Sequence, residues 1–132
     1  MKIFIDTNIF LDLILKRDGY KDALIIFNAI EQGLFKGIIL DITILNIDYI
    51  AKKQVKDIKD FLALVNKTFL VVGADNENIE NALKLENVDL EDNLQYIMAQ
   101  KSKCNLIISN DKNFLKKDIK VLSSIEFING YL

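Results

Sequence analysis

Five apolar runs in this chain are too short to be helices: Lys2–Ile5, Gly37–Leu40, Phe69–Val72, Leu106–Ser109 and Ile119–Leu122. Stretches with helical spacing separate them. Short buried strands that alternate with helices predict an α/β fold on a parallel sheet, with the last run as an edge strand. The helices are expected over Ile9–Leu15, over Tyr20–Gln32 with Gly33 as its stop, from a cap at Asp41 or Thr43 through Lys53, and over Val55–Asn66. Further helices are expected over Asn76–Leu85, from Val88-Asp89 to Ser102, and in a short final segment capped by Ser123 with Gly130 after it. No repeat or linker interrupts the 132 residues, so one domain, 1–132, is expected.

The absences narrow the chemistry. The chain has no His, which excludes Ser-His-Asp and Cys-His catalysis and His-ligated zinc. Its one cysteine, Cys104, can close no internal disulfide and reads as a buried thiol. Five glycines and no proline form no Gly-rich phosphate loop. Carboxylate, amide, hydroxyl and lysine chemistry remain, with a bound cation. No apolar run approaches the ~20 residues of a membrane helix, and Asp6 follows Met1–Ile5 too soon for a signal peptide. A cytoplasmic protein without membrane contact is expected. The net charge is −2, yet lysines cluster at 52, 53, 56 and 59 and again at 112, 116, 117 and 120. Acids gathered in one pocket and rimmed by lysines would still suit a nucleic acid.

In an open parallel sheet, sites form at the carboxyl ends of the strands. Asp6 follows the first run, Asp41 the second, and Asn110 and Asp111 the fourth, while Asp92 lies in the first turn of the helix leading to the fourth. Each acid has a plain structural use. Asp6 would cap the first helix and Asp111 would shape a turn. Asp89 would cap the Asp92 helix, with Glu91 and Asp92 complementing its dipole for ~0.3–1 kcal/mol each. Three carboxylates at one end of one sheet would nevertheless repel unless a cation sits among them. On that helix Leu90, Leu94, Ile97 and Met98 are expected to form the apolar stripe, with Asp92, Gln95, Tyr96 and Ala99 on the adjoining face. On the second helix Tyr20, Ala23, Leu24, Phe27 and Ile30 form the stripe. Ile25 and Ile26 fall partly off it, leaving apolar area for a partner.

Four blocks, in order, resemble the PIN domain family, and VapC-type toxin nucleases in particular. Lys2-Ile-Phe-Ile-Asp6-Thr-Asn8-Ile-Phe-Leu-Asp12 is similar to the opening of these domains. Thr43-Ile-Leu-Asn46-Ile-Asp-Tyr49-Ile resembles the TLANLYYI helix of one subgroup. Asp89-Leu-Glu-Asp92-Asn-Leu-Gln-Tyr96-Ile-Met-Ala resembles its DFEDALQY-A helix. Ile107-Ile-Ser-Asn110-Asp-Lys-Asn-Phe114 resembles its V-T-N-K-DF turn. The resemblance implies a three-layer sandwich, with a central parallel sheet of four to five strands between helices. It implies a metal-dependent endoribonuclease, the toxin of a type II toxin–antitoxin pair, with Mg²⁺ (or Mn²⁺) as cofactor. RNA would be the substrate and a cognate antitoxin and a second copy the partners. Asp6, Asp92 and Asp111 would be catalytic and metal-ligating, and Thr7, Asn8, Asn46 and Asn110 would position ligands or phosphate oxygens. Many PIN nucleases carry a Glu in the third helix where this chain has Asn46, so its site has one charge fewer, and an acid there would add a ligand. Asp111 is offset by one from the acid of some members, so Asn110 or Asn113 can align instead. Two other readings compete. One is a PIN-like module that binds RNA or protein without cutting. The other is a receiver or D-x-D phosphatase, which would need an acid pair after the first strand or an acid where Asn8 stands.

Overall fold

The structure is a computed structural model that describes residues 1–132. Its elements are β1 (Lys2–Ile5), α1 (Thr7–Ile14), α2 (Tyr20–Glu31), β2 (Lys36–Leu40), α3 (Asp41–Ala51), α4 (Ile58–Thr68), β3 (Leu70–Val72), α5 (Asn76–Leu83), α6 (Leu90–Lys101), β4 (Leu106–Ile108), β5 (Lys120–Leu122) and α7 (Ser124–Tyr131). The five strands form one parallel sheet in the order β3-β2-β1-β4-β5. The expected architecture is therefore present.

Strand side chains alternate between faces, and the core divides accordingly. Ile3, Ile5, Ile39, Leu106 and Ile108 face a cluster with Phe10, Phe27, Ile47, Val65 and Phe127, contributed by α1, α2, α3, α4 and α7. Phe4, Ile38, Leu40 and Ile107 face a second cluster with Tyr96, Met98 and Ala99 of α6. Helices thus cover both faces, giving three layers. No helix is long and apolar enough to cross a membrane. Phe69 joins Phe10 and Phe27 edge-on, at ring-centroid distances of 5.0 and 5.4 Å. It lies across Gly37, where an added Cβ would stand 2.5 Å from the Phe69 ring. Gly33 takes φ +82° directly after α2 and ends it as expected.

Several local expectations are corrected. Leu24 is 43% exposed and Ile25 46%, whereas Ile26 is buried. The face that α2 turns to the sheet is centred on Ala23, Phe27 and Ile30, and Ile26 lies one turn before Ile30 on it. Neither Asp41 nor Thr43 caps α3, whose N-cap position is held by Leu40. The helix begins at Asp41, immediately after β2, and Thr43 is fully buried in its first turn. α4 begins at Ile58 rather than Val55, with turns over residues 52–57. Gly130 lies inside the last turn of α7 rather than after it. The stripe of α6 is also different. Leu90 is 45% exposed, while Asp92, Asn93, Gln95, Tyr96, Met98 and Ala99 are buried. The buried amide N–H groups of this helix have acceptors, Asp6 for Gln95 and the Ala82 and Asn87 carbonyls for Asn93, whereas the Gln95 and Asn93 side-chain oxygens find no partner.

Candidate functional site

The strand order reverses direction at β1 and β4, and the crevice beyond their carboxyl ends is where an open parallel sheet builds its sites. β1 delivers Asp6 there, with its N–H bonded to the Ile108 carbonyl at 3.0 Å. β4 delivers Ser109 and Asp111, and the first turn of α6 delivers Asp92.

Asp6 occupies the N-cap position of α1, but its side chain does not cap. Buried at 1% exposure, it accepts from Gln95 Nε2 at 2.9 Å and from Ser109 Oγ at 2.8 Å. Burial raises its proton affinity, and these two donors partly offset the rise. The Ser109 hydroxyl also accepts from the Asp111 N–H at 3.1 Å, so one side chain ties the two acids together. Asp111 Oδ1 accepts from the Asn113 N–H at 2.9 Å, an Asx turn that fixes its carboxylate.

Carboxylate oxygens of Asp89, Asp92 and Asp111 all lie within 4.8 Å of one another. Asp92 Oδ2 is fully buried and has no hydrogen-bond partner. Desolvation, then the neighbouring Asp111, Asp6 and Asp89, push the Asp92 carboxyl up to about 8. Asp89, Asp92 and Asp111 line a cavity of about 190 Å³ together with Thr7, Asn8, Asn46 and Glu91. Three hard oxygen donors, one of them orphaned in a dry position, fit a hard divalent cation and offer nothing to a soft one.

The expected site residues divide. Asp92, Asp111, Thr7, Asn8 and Asn46 share the cavity wall, whereas Asp6 does not line it and acts on Asp92 as a nearby buried charge. The Thr7 hydroxyl pairs with Thr43 at 2.8 Å, joining α1 to α3. Asn8 Oδ1 receives the Arg17 guanidinium at 3.4 Å, and Arg17 is itself anchored on Asp12 at 2.9 Å. Asn46 Nδ2 donates to Glu91 Oε1 at 2.6 Å. Asn110 turns elsewhere. Its Oδ1 accepts from the Ser124 N–H at 2.9 Å and its Nδ2 donates to Ser124 Oγ at 3.1 Å, which fastens β4 to the start of α7.

Asp89 and Glu91 also line the cavity, and Ser109 and Gln95 hold Asp6, although the sequence alone does not single them out for these places. Asp89 does cap α6, accepting from the Asp92 N–H at 3.1 Å. A cap and a residue three places on share one helix end, and that spacing was the available signal. Beside the acidic cavity lies a second one of about 270 Å³, lined by Asp111, Lys112, Lys116 and Ser123 among others. Lys52 lines a separate depression, with Asp48, Asp57 and Asp60 around it.

The family model described as "PIN domain" matches residues 2–113. The chain is 30% identical to a protein of Aquifex aeolicus named Ribonuclease VapC1, over 96% of this chain and 92% of that protein. Among solved structures, it is similar to a chain of a toxin–antitoxin complex from Klebsiella pneumoniae. The TM-score is 0.70 at 22% identity, covering 92% of this chain and 97% of that one. It is also similar to Mycobacterium tuberculosis VapC20, described as a sarcin–ricin loop cleaving toxin. There the TM-score is 0.68 at 11% identity, covering 85% and 92%.

Proposed function

The chain belongs to the PIN domain family, and from that premise we propose that it is a metal-dependent endoribonuclease acting as the toxin of a type II toxin–antitoxin pair. The observation that carries this reading is the convergence of the Asp89, Asp92 and Asp111 oxygens around the unpartnered Asp92 Oδ2. The relative named Ribonuclease VapC1 supports the activity.

Asp92 and Asp111 would hold the cation, Mg²⁺ or Mn²⁺, with the Asp89 carboxylate within reach of both. A divalent cation bound there supplies a water of lowered pKa and neutralises charge developing on a phosphate. Asp6 adds negative field and, through Ser109, fixes the Asp111 backbone. With no His available, proton transfer would pass through a metal-bound water or a carboxylate. Asn8 presents an amide to the cavity while Arg17 holds its oxygen. Lys112 and Lys116, in the cavity that shares Asp111, attract the RNA backbone without reading its sequence.

A cognate antitoxin and a second copy of the chain are the proposed partners. The Klebsiella pneumoniae neighbour is described as a toxin–antitoxin complex. Here Leu45 is 67% and Tyr49 75% exposed on α3, and Leu24 and Ile25 lie open on α2.

The test is a Mg²⁺ and Mn²⁺ titration with a fluorescent RNA, run beside Asp92→Asn. Cleavage that needs the metal and vanishes in the variant is expected. RNA binding without cleavage at any metal concentration would instead identify a non-cutting regulatory module.

A further inference from the structure

Glu91 stands in the first turn of α6, where an acid needs no explanation beyond the helix dipole. Its environment asks for more. The side chain is half-buried and turns to α3, where Asn46 Nδ2 meets Oε1 at 2.6 Å. Asp6 and Asp89 are its charged neighbours. No protein cation answers that charge. The ion pairs of the chain join Arg17 to Asp12, Lys84 to Glu80 and Lys101 to Asp75, all away from Glu91. Thr7, Asn46 and Glu91 line the same cavity as Asp92, whose Oδ2 is buried without a partner.

We propose that Glu91 is a carboxylate of the metal site and that Asn46 is the residue that positions it. The assignment rests on the metal-dependent reading above. Asn46 uses its amide N–H on Glu91, so it acts on the cation through Glu91. Glu91 lies outside the three oxygens that gather within 4.8 Å. It therefore belongs to the surrounding layer that orients ligands and their waters, where a lost partner lowers metal affinity by about 10–100-fold. A side chain from α3 thus orients a charge that α6 supplies.

Mn²⁺ affinity measured by calorimetry tests this, in wild type, Glu91→Gln, Asn46→Ala, the double variant and Asp92→Asn. Glu91→Gln is expected to weaken Mn²⁺ binding by about tenfold, and Asn46→Ala by less. In the double variant, Asn46→Ala should add almost nothing to the effect of Glu91→Gln, because positioning matters only while the carboxylate is present. A merely structural Asn46 would add its own loss in both backgrounds. Wild-type affinity in Glu91→Gln, alongside a clear loss in Asp92→Asn, would overturn the role of Glu91 and leave the metal site standing. Equal binding by wild type and Asp92→Asn, or no binding by either, would overturn both.

Discussion

Ser109 Oγ donates to Asp6 Oδ2 across 2.8 Å, between residues 103 positions apart in the chain. Gln95 takes the other Asp6 oxygen. The acid that ends β1 is therefore a joint between β1, β4 and α6 as well as a source of charge.

Asp6→Ala should consequently cost stability as well as activity. It leaves the buried Gln95 amide and Ser109 hydroxyl without their acceptor, a loss of about 1–3 kcal/mol. Asp6→Asn keeps an oxygen for one of the two donors and should cost less. Chemical denaturation of both variants checks this, and an Asp6→Ala protein as stable as wild type would contradict the joint.

Asp92 predicts the opposite sign. In an unfolded chain its carboxyl loses its proton near pH 4, whereas the folded site holds that proton to about 8. Between those values the native state binds more protons than the unfolded state, so stability falls as pH rises. Asp6 and Glu91, also raised by burial, act in the same direction. Asp75 and Glu126 are lowered and are fully ionised before this window opens. Under chelation, the melting temperature should drop between pH 5.5 and 8. Asp92→Asn should flatten the drop and raise the midpoint at pH 8, and added Mn²⁺ should reduce the drop in wild type. A chelated midpoint that rises with pH would refute the buried, unpaired Asp92.

Gly37→Ala should destabilise the fold by about 1–3 kcal/mol through overpacking, because its Cβ would meet the Phe69 ring at 2.5 Å. Phe69 is locked between Phe10 and Phe27 and cannot retreat freely. Gly33→Ala makes a useful contrast. Nothing lies within 4 Å of its added Cβ, so any loss there arises from φ +82° alone. Thermal melts of the pair separate crowding from backbone strain.

Ile42, Leu45 and Tyr49 follow one another along an open face of α3. If that face pairs two copies, Leu45→Glu should shift the protein from dimer to monomer in sedimentation at micromolar concentration, with its helix content by circular dichroism unchanged and a melting temperature that no longer rises with protein concentration. A wild type that sediments as a monomer there would remove the dimer.

Periodicity made the strand and helix order legible, because each apolar run meets an apolar layer. It failed on α6, where the buried face is chosen by Asp6 and the Ala82 carbonyl as much as by greasy neighbours. Strand ends and helix starts led to Asp6, Asp92 and Asp111. Asp89 and Glu91 stayed hidden because a cap and a dipole explain acids at a helix start equally well. The partner of Asn46 lies 45 residues away, on an element whose placement only the tertiary fold decides. Asn110 looked like a site amide by adjacency, yet it serves the junction with α7.

The central place of β1 also sets an order of events during synthesis. It is the first strand made, yet one of its edges waits for Leu106–Ile108 to pair with it. Until then Asp6 lacks Ser109, and the last acid of the cluster, Asp111, does not yet exist. A chain made only as far as α6 therefore already holds Asp6, Asp89 and Asp92, yet it lacks both the strand edge that seats Asp6 and the acid that closes the cluster.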